Sequence, residues 1–133
     1  KGGEGGLQGR REGGQSGTGM QPTIMTDIAK ESPSEYLECL GPGARWVGVK
    51  DEGDAIALGN DSPFGLGGSV FTQDLERGKR VARAIDTGMV FINSAAVSTP
   101  DLPFGGVKNS GYGRELSAMG IQEFVNTKLI RVA

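Results

Sequence analysis

The sequence predicts an α/β fold, a mostly parallel open sheet with flanking helices, and two patterns indicate it. From residue 22 onward, apolar runs of strand length recur along the chain, and they are rich in β-branched and aromatic residues. Proline-free segments with helical periodicity separate most of these runs. Because strand–helix–strand connections are right-handed crossovers, this alternation makes neighbouring strands parallel.

Five strands and three helices are predicted. The strands lie at residues 22–28, 44–49, 66–72, 89–93 and 128–132, and the helices at residues 51–59, 74–86 and 114–124. Asp74 can cap the start of the second helix, and Gly88 can close its end. The acidic residues Asp51, Glu52 and Asp54 are predicted to cap the first helix rather than to bind a metal ion.

The composition excludes several classes of function. The 133 residues include 14 Lys and Arg against 16 Asp and Glu, so no excess of positive charge attracts nucleic acid. The chain has no histidine, which excludes Ser-His-Asp and Cys-His catalytic sets and His-ligated metal sites. No segment reaches the roughly 20 apolar residues of a membrane span. One cysteine cannot form an internal disulfide, so a reducing, cytoplasmic location is expected.

Glycine is concentrated at the start of the chain. Nine of the 24 glycines fall within the first 19 residues, where Leu7 is the one large apolar residue. Ordering these backbones costs on the order of 20–40 kcal/mol, whereas burying one Leu returns about 1.5–3 kcal/mol. Residues 1–20 are therefore predicted to be disordered or to form a surface loop held by a larger body. Because Lys1 is not a natural start, we expect the chain to be part of a longer polypeptide.

The densest motif runs from Pro103 to Glu115 and reads Pro-Phe-Gly-Gly-Val-Lys-Asn-Ser-Gly-Tyr-Gly-Arg-Glu. Its glycines allow close backbone approach just before a predicted helix, so a ligand or a neighbouring chain is expected to pass there. The plainer interpretation is a Gly-rich loop with a helix cap. The pair Gly111-x-Gly113 lacks the third glycine of a dinucleotide-binding fingerprint.

In their order and spacing, the motifs of residues 20–133 resemble the C-terminal part of the aldehyde dehydrogenase superfamily. The blocks that carry the resemblance are Gln21-Pro22-Thr23-Ile24, Glu38-x-x-Gly41-Pro42, Asn60-Asp61-Ser62-Pro63-Phe64-Gly65-Leu66, Val70-Phe71-Thr72, Gly88-Met89-Val90-Phe91-Ile92-Asn93 and the motif that starts at Pro103. Residues 94–102 and the Gly-Arg-Glu-Leu-Ser run ending at Ser117 resemble the succinate-semialdehyde branch in particular.

The resemblance implies the C-terminal segment of an NAD- or NADP-dependent enzyme. Such an enzyme oxidises an aldehyde, succinate semialdehyde in this branch, to the carboxylic acid through a cysteine thioester. The resemblance places the nucleophilic cysteine, the general-base glutamate and the nucleotide-binding domain upstream of these residues. No catalytic residue is therefore expected in this segment, which alone is expected to be inactive, and the choice between NAD and NADP stays open.

The resemblance also assigns roles to individual residues. Glu38 corresponds to a glutamate that hydrogen-bonds the nicotinamide ribose, and Leu40 to a residue, usually phenylalanine, that lies against the nicotinamide. Ser98 corresponds to a serine that helps to bind the distal carboxylate of the substrate. Phe104 corresponds to an aromatic wall of the substrate tunnel, and Glu115 to a carboxylate near the water-activating base.

Other polar residues near these motifs are expected to be structural. Lys108 and Arg114 are expected to tie the Gly-rich loop to neighbouring backbone. Cys39 is expected to be a semi-buried thiol rather than a nucleophile, because no Lys, His or helix start adjoins it.

The last predicted strand, from Lys128 to Val132, corresponds to a strand of the family that pairs with a sheet edge of another subunit. Residues 1–20, 21–126 and 127–133 would then be a surface loop, the end of the catalytic domain and an oligomerisation strand. The implied partners are the aldehyde substrate, the remainder of the parent chain and further copies of the protein. The alternative is a non-catalytic assembly module in which the terminal strand and the Gly-rich loop bind another protein.

Overall fold

The computed structural model describes residues 7–8, 22–29, 32, 37–38 and 40–133. The chain divides into two compact units, residues 1–50 and residues 51–133. Cys39 and most of residues 1–20, the segment predicted as a surface loop or as disordered, lie outside the described residues.

The described residues of the first unit contain a sheet of three short strands. β1 (Leu7–Gln8) pairs antiparallel with β2 (Thr23–Met25), and β2 pairs parallel with β3 (Gly43–Arg45). The two strands predicted in this unit are thus present, although each is shorter than expected. β1 falls within the segment predicted as a loop or as disordered, since its pairing with β2 is a long-range contact that composition does not encode.

The second unit contains a strand–helix–strand crossover. β5 (Gly67–Val70) and β6 (Met89–Ile92) pair in parallel along their whole lengths, and α2 (Leu75–Ala84) connects them. α2 lies against both strands. The parallel crossover that the alternating pattern predicts is confirmed here.

The other elements of the second unit are α1 (Glu52–Asn60), β4 (Phe64–Gly65), β7 (Val107–Lys108) and α3 (Ser117–Gln122). β4 and β7 form an antiparallel pair that the sequence does not predict. The described strands form three separate sheets rather than one mostly parallel sheet. The expectation of a single sheet is wrong because Leu66, between β4 and β5, passes the chain from one sheet to another.

Both aspartates predicted as helix caps have that role. The Asp51 carboxylate accepts a hydrogen bond from the Asp54 N–H at 2.9 Å, and the Asp74 carboxylate accepts one at 2.9 Å from the N–H three residues further on. The predicted end of α2 at Gly88 is wrong. Ile85 already leaves the helical conformation, with ψ 123°, and the chain turns there towards β6.

The third helix is shorter than the prediction of residues 114–124. α3 begins at Ser117, because Leu116 and Ser117 have φ values of 61° and 52°, which are left-handed and stop the helix from extending towards its N-terminal side. Glu115 instead pairs with Phe104 in an isolated β-bridge.

Residues 126–133 carry neither helix nor strand. The strand predicted at residues 128–132 is absent because a strand is defined by backbone pairing, and no strand in the described part of the chain pairs with this segment. The side chains of Leu129, Ile130 and Val132 are highly exposed. Pairing of this segment with another subunit stays a prediction.

Asn93 ends β6 and extends the sheet with its side chain. The Asn93 N–H donates to the Val70 carbonyl oxygen at 2.8 Å. The side-chain amide accepts a hydrogen bond from the Thr72 N–H and donates one to the Thr72 carbonyl oxygen, both at 2.8 Å. With φ 57°, the backbone of Asn93 turns out of the sheet while its side chain continues the ladder.

An exposed ion pair joins α1 to α2. Arg77 Nε donates to Glu52 Oε2 at 2.5 Å, and this hydrogen bond raises the pKa of the Arg77 guanidinium. Because solvent screens an exposed pair, the contact contributes little to the free energy of unfolding.

Gly88 lies against the backbone of the Gly-rich loop. A Cβ atom at Gly88 would overlap the Gly105 carbonyl oxygen and would lie 2.8 Å from the Gly106 Cα. The Gly88 N–H donates to the Gly65 carbonyl oxygen at 3.0 Å. Three backbone segments therefore meet at a point where no side chain fits.

We expect Gly88→Ala to lower the thermal unfolding temperature, because overpacking of this kind typically costs about 1–3 kcal/mol. Gly59→Ala is the matched control, since a Cβ there meets nothing within 4 Å. Gly59 lies in the last turn of α1, where alanine has the higher helix propensity, so the control should be neutral or stabilise by up to about 0.5–1 kcal/mol. Thermal unfolding of the two variants, measured side by side, checks this. An unfolding temperature for Gly88→Ala at or above that of the unaltered protein would contradict the close contact.

Candidate functional site

Two of the predicted site residues meet at the base of the Gly-rich loop. The Phe104 N–H donates to the Glu115 carbonyl oxygen, and the Glu115 N–H donates to the Phe104 carbonyl oxygen, both at 2.8 Å. Residues that face each other in such an antiparallel bridge project their side chains to the same side. Phe104, predicted as a wall of the substrate tunnel, and Glu115, predicted as the carboxylate near the water-activating base, are therefore neighbours. Eleven positions separate them in the sequence.

The loop between these two residues is fixed by backbone contacts. β7 within it pairs with β4, and the Asn109 N–H donates to the Pro63 carbonyl oxygen at 3.1 Å. The Ser110 hydroxyl oxygen accepts a hydrogen bond from the Gly65 N–H at 3.0 Å. Residues 63–65 thus lie along the loop and hold it in place through hydrogen bonds.

Lys108 binds backbone just before residues 63–65 through its side chain, as predicted. Its ammonium group donates to the carbonyl oxygens of Asn60 at 2.8 Å and Ser62 at 3.2 Å. It also lies 3.2 Å from Asp86 Oδ2. The sequence gives no signal for Asn60 and Asp86 as partners of Lys108, because more than 20 residues separate either of them from it.

Arg114 has the other predicted structural role. Its Nη1 donates to the Gly106 carbonyl oxygen at 2.9 Å and to the Gly113 carbonyl oxygen at 2.6 Å. The guanidinium group therefore links the beginning of the loop, at Gly106, to its end, at Gly113.

A pocket of about 340 Å³ lies beside the Phe104–Glu115 bridge. Its walls combine apolar and charged groups, which include Leu66, Phe104, Tyr112, Phe124, Arg114 and Glu115. The volume lies within the range of small-molecule sites. The pocket can hold a small molecule with an apolar body. Its lining contains no thiol or imidazole, so it offers surfaces for positioning and no nucleophile of that kind.

Ser98 lies on the exposed segment that leaves the sheet at Asn93. Further along, the Ser117 N–H donates to the Pro100 carbonyl oxygen at 2.9 Å and holds the far part of this segment. The neighbouring hydroxyl of Thr99 is buried and has no hydrogen-bond partner among the described residues. The sequence gives no sign of this buried hydroxyl, since a threonine beside a serine carries no separate signal.

The predicted cofactor residues lie in the first unit. Glu38 is exposed, and Leu40 is 91% exposed. An exposed carboxylate can accept hydrogen bonds from the two hydroxyls of a ribose, and an exposed leucine can cover the face of a flat ring. Both residue types thus fit the nicotinamide nucleotide that the resemblance implies.

The described residues contain neither a cluster of metal ligands nor a membrane-spanning helix. No group of three or more Cys, Asp or Glu side chains is placed to hold a metal ion there. In the same part of the chain, no helix has both the length and the hydropathy that crossing a bilayer requires. Asp51, Glu52 and Asp54 belong to the start of α1.

Comparison with known proteins gives the relatives of the chain. The profile of the aldehyde dehydrogenase family matches residues 1–130. A succinate-semialdehyde dehydrogenase (NADP+) of Deinococcus radiodurans is 53% identical over 115 residues, which are 86% of this chain and 24% of that protein.

Solved structures of the same kind superpose on the chain. Succinic semialdehyde dehydrogenase from Streptococcus pyogenes, in complex with NADP+, gives a TM-score of 0.88 at 46% identity and covers 94% of this chain and 28% of that one. Aldehyde dehydrogenase from Mycobacterium tuberculosis, with NAD+, gives a TM-score of 0.76 at 42% identity and covers 87% of this chain and 24% of that one.

The chain thus spans about a quarter of the length of these relatives. The family profile nevertheless matches nearly all of it. The family match and these relatives lead to one conclusion. The chain belongs to the aldehyde dehydrogenase family.

Proposed function

We propose that the full-length protein oxidises succinate semialdehyde to the carboxylic acid with NADP+ or NAD+, and that these residues form the C-terminal part of its catalytic domain. The observation that carries the proposal is the pairing of Phe104 with Glu115 beside a pocket of small-molecule size. The names of the relatives, at 46–53% identity, support the substrate. We place the protein in the cytoplasm.

The residues of the first unit would bind the cofactor. Glu38 would accept hydrogen bonds from the nicotinamide ribose, and Leu40 would pack against the nicotinamide. The cofactor, when bound, supplies the hydride acceptor. A leucine at this position offers a smaller surface than an aromatic ring, so the cofactor would be held more loosely on this side.

The residues of the second unit would hold the aldehyde and the water. Phe104, half-buried at the base of the loop, would form one wall of the tunnel and exclude solvent from the carbonyl carbon. Glu115 would orient the general base that activates water, because its backbone is fixed by two hydrogen bonds at 2.8 Å. The Ser98 hydroxyl would donate to the distal carboxylate of the substrate.

The cysteine nucleophile and the general base of the thioester mechanism would come from another part of the polypeptide. This division supports a role in positioning for the present residues. A second proposal follows from the exposed apolar residues of 128–132. We propose that this segment adds a strand to a sheet edge of another subunit, as an assembly role that accompanies catalysis.

The first test is a turnover assay with succinate semialdehyde and either NADP+ or NAD+. The full-length protein should form reduced cofactor and succinate, whereas the 133-residue chain alone should not turn over. No oxidation by the full-length protein with either cofactor would exclude the proposed activity. Turnover by the isolated chain would show a nucleophile within these residues.

The second test concerns the substrate carboxylate. In the full-length protein, Ser98→Ala should raise KM for succinate semialdehyde by about 10- to 100-fold, because a hydrogen bond to a charged group is lost. KM for a neutral aldehyde of equal length should change little. Ser94→Ala is the matched control, since the Ser94 hydroxyl already donates to the Ala95 carbonyl oxygen at 2.7 Å. Equal changes for both aldehydes would argue against a carboxylate contact.

The third test concerns assembly. Ile130→Lys places a charge on an exposed apolar position of residues 128–132, and it should reduce the oligomer size of the full-length protein in light scattering. Gln73→Lys adds the same charge at an exposed position outside residues 127–133 and should leave the oligomer intact. If both variants keep the size of the unaltered protein, this segment does not pair between subunits.

A further inference from the structure

We propose that Lys108 is a positioning residue for the Phe104–Glu115 pair: its ammonium group ties β7 to the ends of α1 and α2 and thereby fixes where the pair lies. The proposal rests on the proposed function for the roles of Phe104 and Glu115. The geometry of the contact stands independently of those roles.

The ammonium group of Lys108 has two hydrogen-bond acceptors and one ion-pair partner. The carbonyl oxygens of Asn60 and Ser62 lie at 2.8 and 3.2 Å, and Asp86 Oδ2 lies at 3.2 Å. The Lys108 side chain is 23% exposed, against 61% for Asp86. Because the ammonium group is partly shielded and has three oxygen partners, its position is more restricted than that of an exposed lysine.

The residues that bind the Lys108 ammonium group are also hydrogen-bonded to one another or to their neighbours. Asn60 Nδ2 donates to the Ala84 carbonyl oxygen at 2.8 Å, and the Asp86 N–H donates to Asn60 Oδ1 at 2.8 Å. The end of α1 and the turn after α2 are therefore joined by hydrogen bonds that do not involve Lys108. Lys108 therefore binds residues that hydrogen bonds already hold together. We call Asn60, Ser62, Ala84 and Asp86 the anchor.

Few residues separate this anchor from the site. Lys108 is four positions from Phe104, and Gly105 between them packs against Gly88. On the other side of the loop, Arg114 donates to the Gly106 carbonyl oxygen. A shift of Lys108 would therefore be transmitted to the bridge through a short segment that is held at several points.

The backbone of Lys108 supports the same conclusion. Its φ of 55° is in the left-handed region, which a long side chain seldom occupies. Such a conformation persists where the surroundings over-determine it. The three contacts of the ammonium group and the pairing of β7 with β4 supply that constraint.

Hydrogen exchange in the full-length protein tests the geometry. Lys108→Met keeps the length of the side chain and removes its charge, so exchange of the Phe104 and Glu115 amides should become about 10- to 100-fold faster, as the loss of charged hydrogen bonds implies. Lys79→Met is the matched control: Lys79 is 51% exposed and pairs with Glu76 on the surface of α2. Unchanged exchange at the bridge in Lys108→Met would overturn the proposal.

Kinetics of the same full-length variants separate positioning from general stability. Lys108→Met should raise KM for the aldehyde and lower kcat, while KM for NADP+ stays constant and Lys79→Met changes none of these. Combined with Glu115→Gln, Lys108→Met should add little further loss of kcat, because both changes act on the same group. A fully additive loss of kcat would overturn the positioning role even if exchange is faster.

If Lys108→Met does not fold, a milder variant tests the same contact. Asp86→Asn keeps an acceptor oxygen and removes the charge, so it should change exchange and KM in the same direction by a smaller factor. No change in either quantity would count against the proposal. If the unaltered protein does not oxidise the aldehyde, the proposed function fails, and exchange at the bridge still decides whether Lys108 fixes the pair.

Discussion

Close contact between backbone segments, made possible by glycine, is the constraint on which the second unit depends. In the described part of the chain the buried residues are Gly65, Gly78, Gly106 and Gly120, and no apolar side chain is buried there. Two of these glycines lie where β4 and the Gly-rich loop meet. Because backbones approach this closely, their N–H and carbonyl groups can pair directly. The bridge at the base of the loop is one product of that approach.

The sequence predicts those parts of the fold that local patterns encode. The apolar runs of β5 and β6, the amphipathic α2 between them and the caps at Asp51 and Asp74 all depend on residues within a few positions of one another. β4 and β7 escape prediction because each is two residues long and its pairing spans more than 40 positions. The prediction that Gly88 closes the end of α2 is wrong for a related reason. A glycine is needed at this position because of its contact with Gly105, and not because a helix ends there.

The candidate site divides in the same way. Phe104 and Glu115 belong to a recognisable motif, but their pairing is a property of the folded loop. Lys108 and Arg114 could be expected to bind backbone, because a cation within a Gly-rich loop has carbonyl oxygens close by. Their actual acceptors, and the buried Thr99 hydroxyl, depend on which segments the fold brings together. The roles of Glu38, Leu40 and Ser98 depend on resemblance and stay proposals.

The side chain of Asn93 takes the place of a peptide group at the end of the sheet, and this separates the sheet from the segment that follows it. Its amide satisfies both the N–H and the carbonyl of Thr72, so the sheet ends without an orphaned polar group. The chain beyond it contributes nothing to that termination. Residues 94–98 can therefore change in length and chemistry without loss of the underlying ladder.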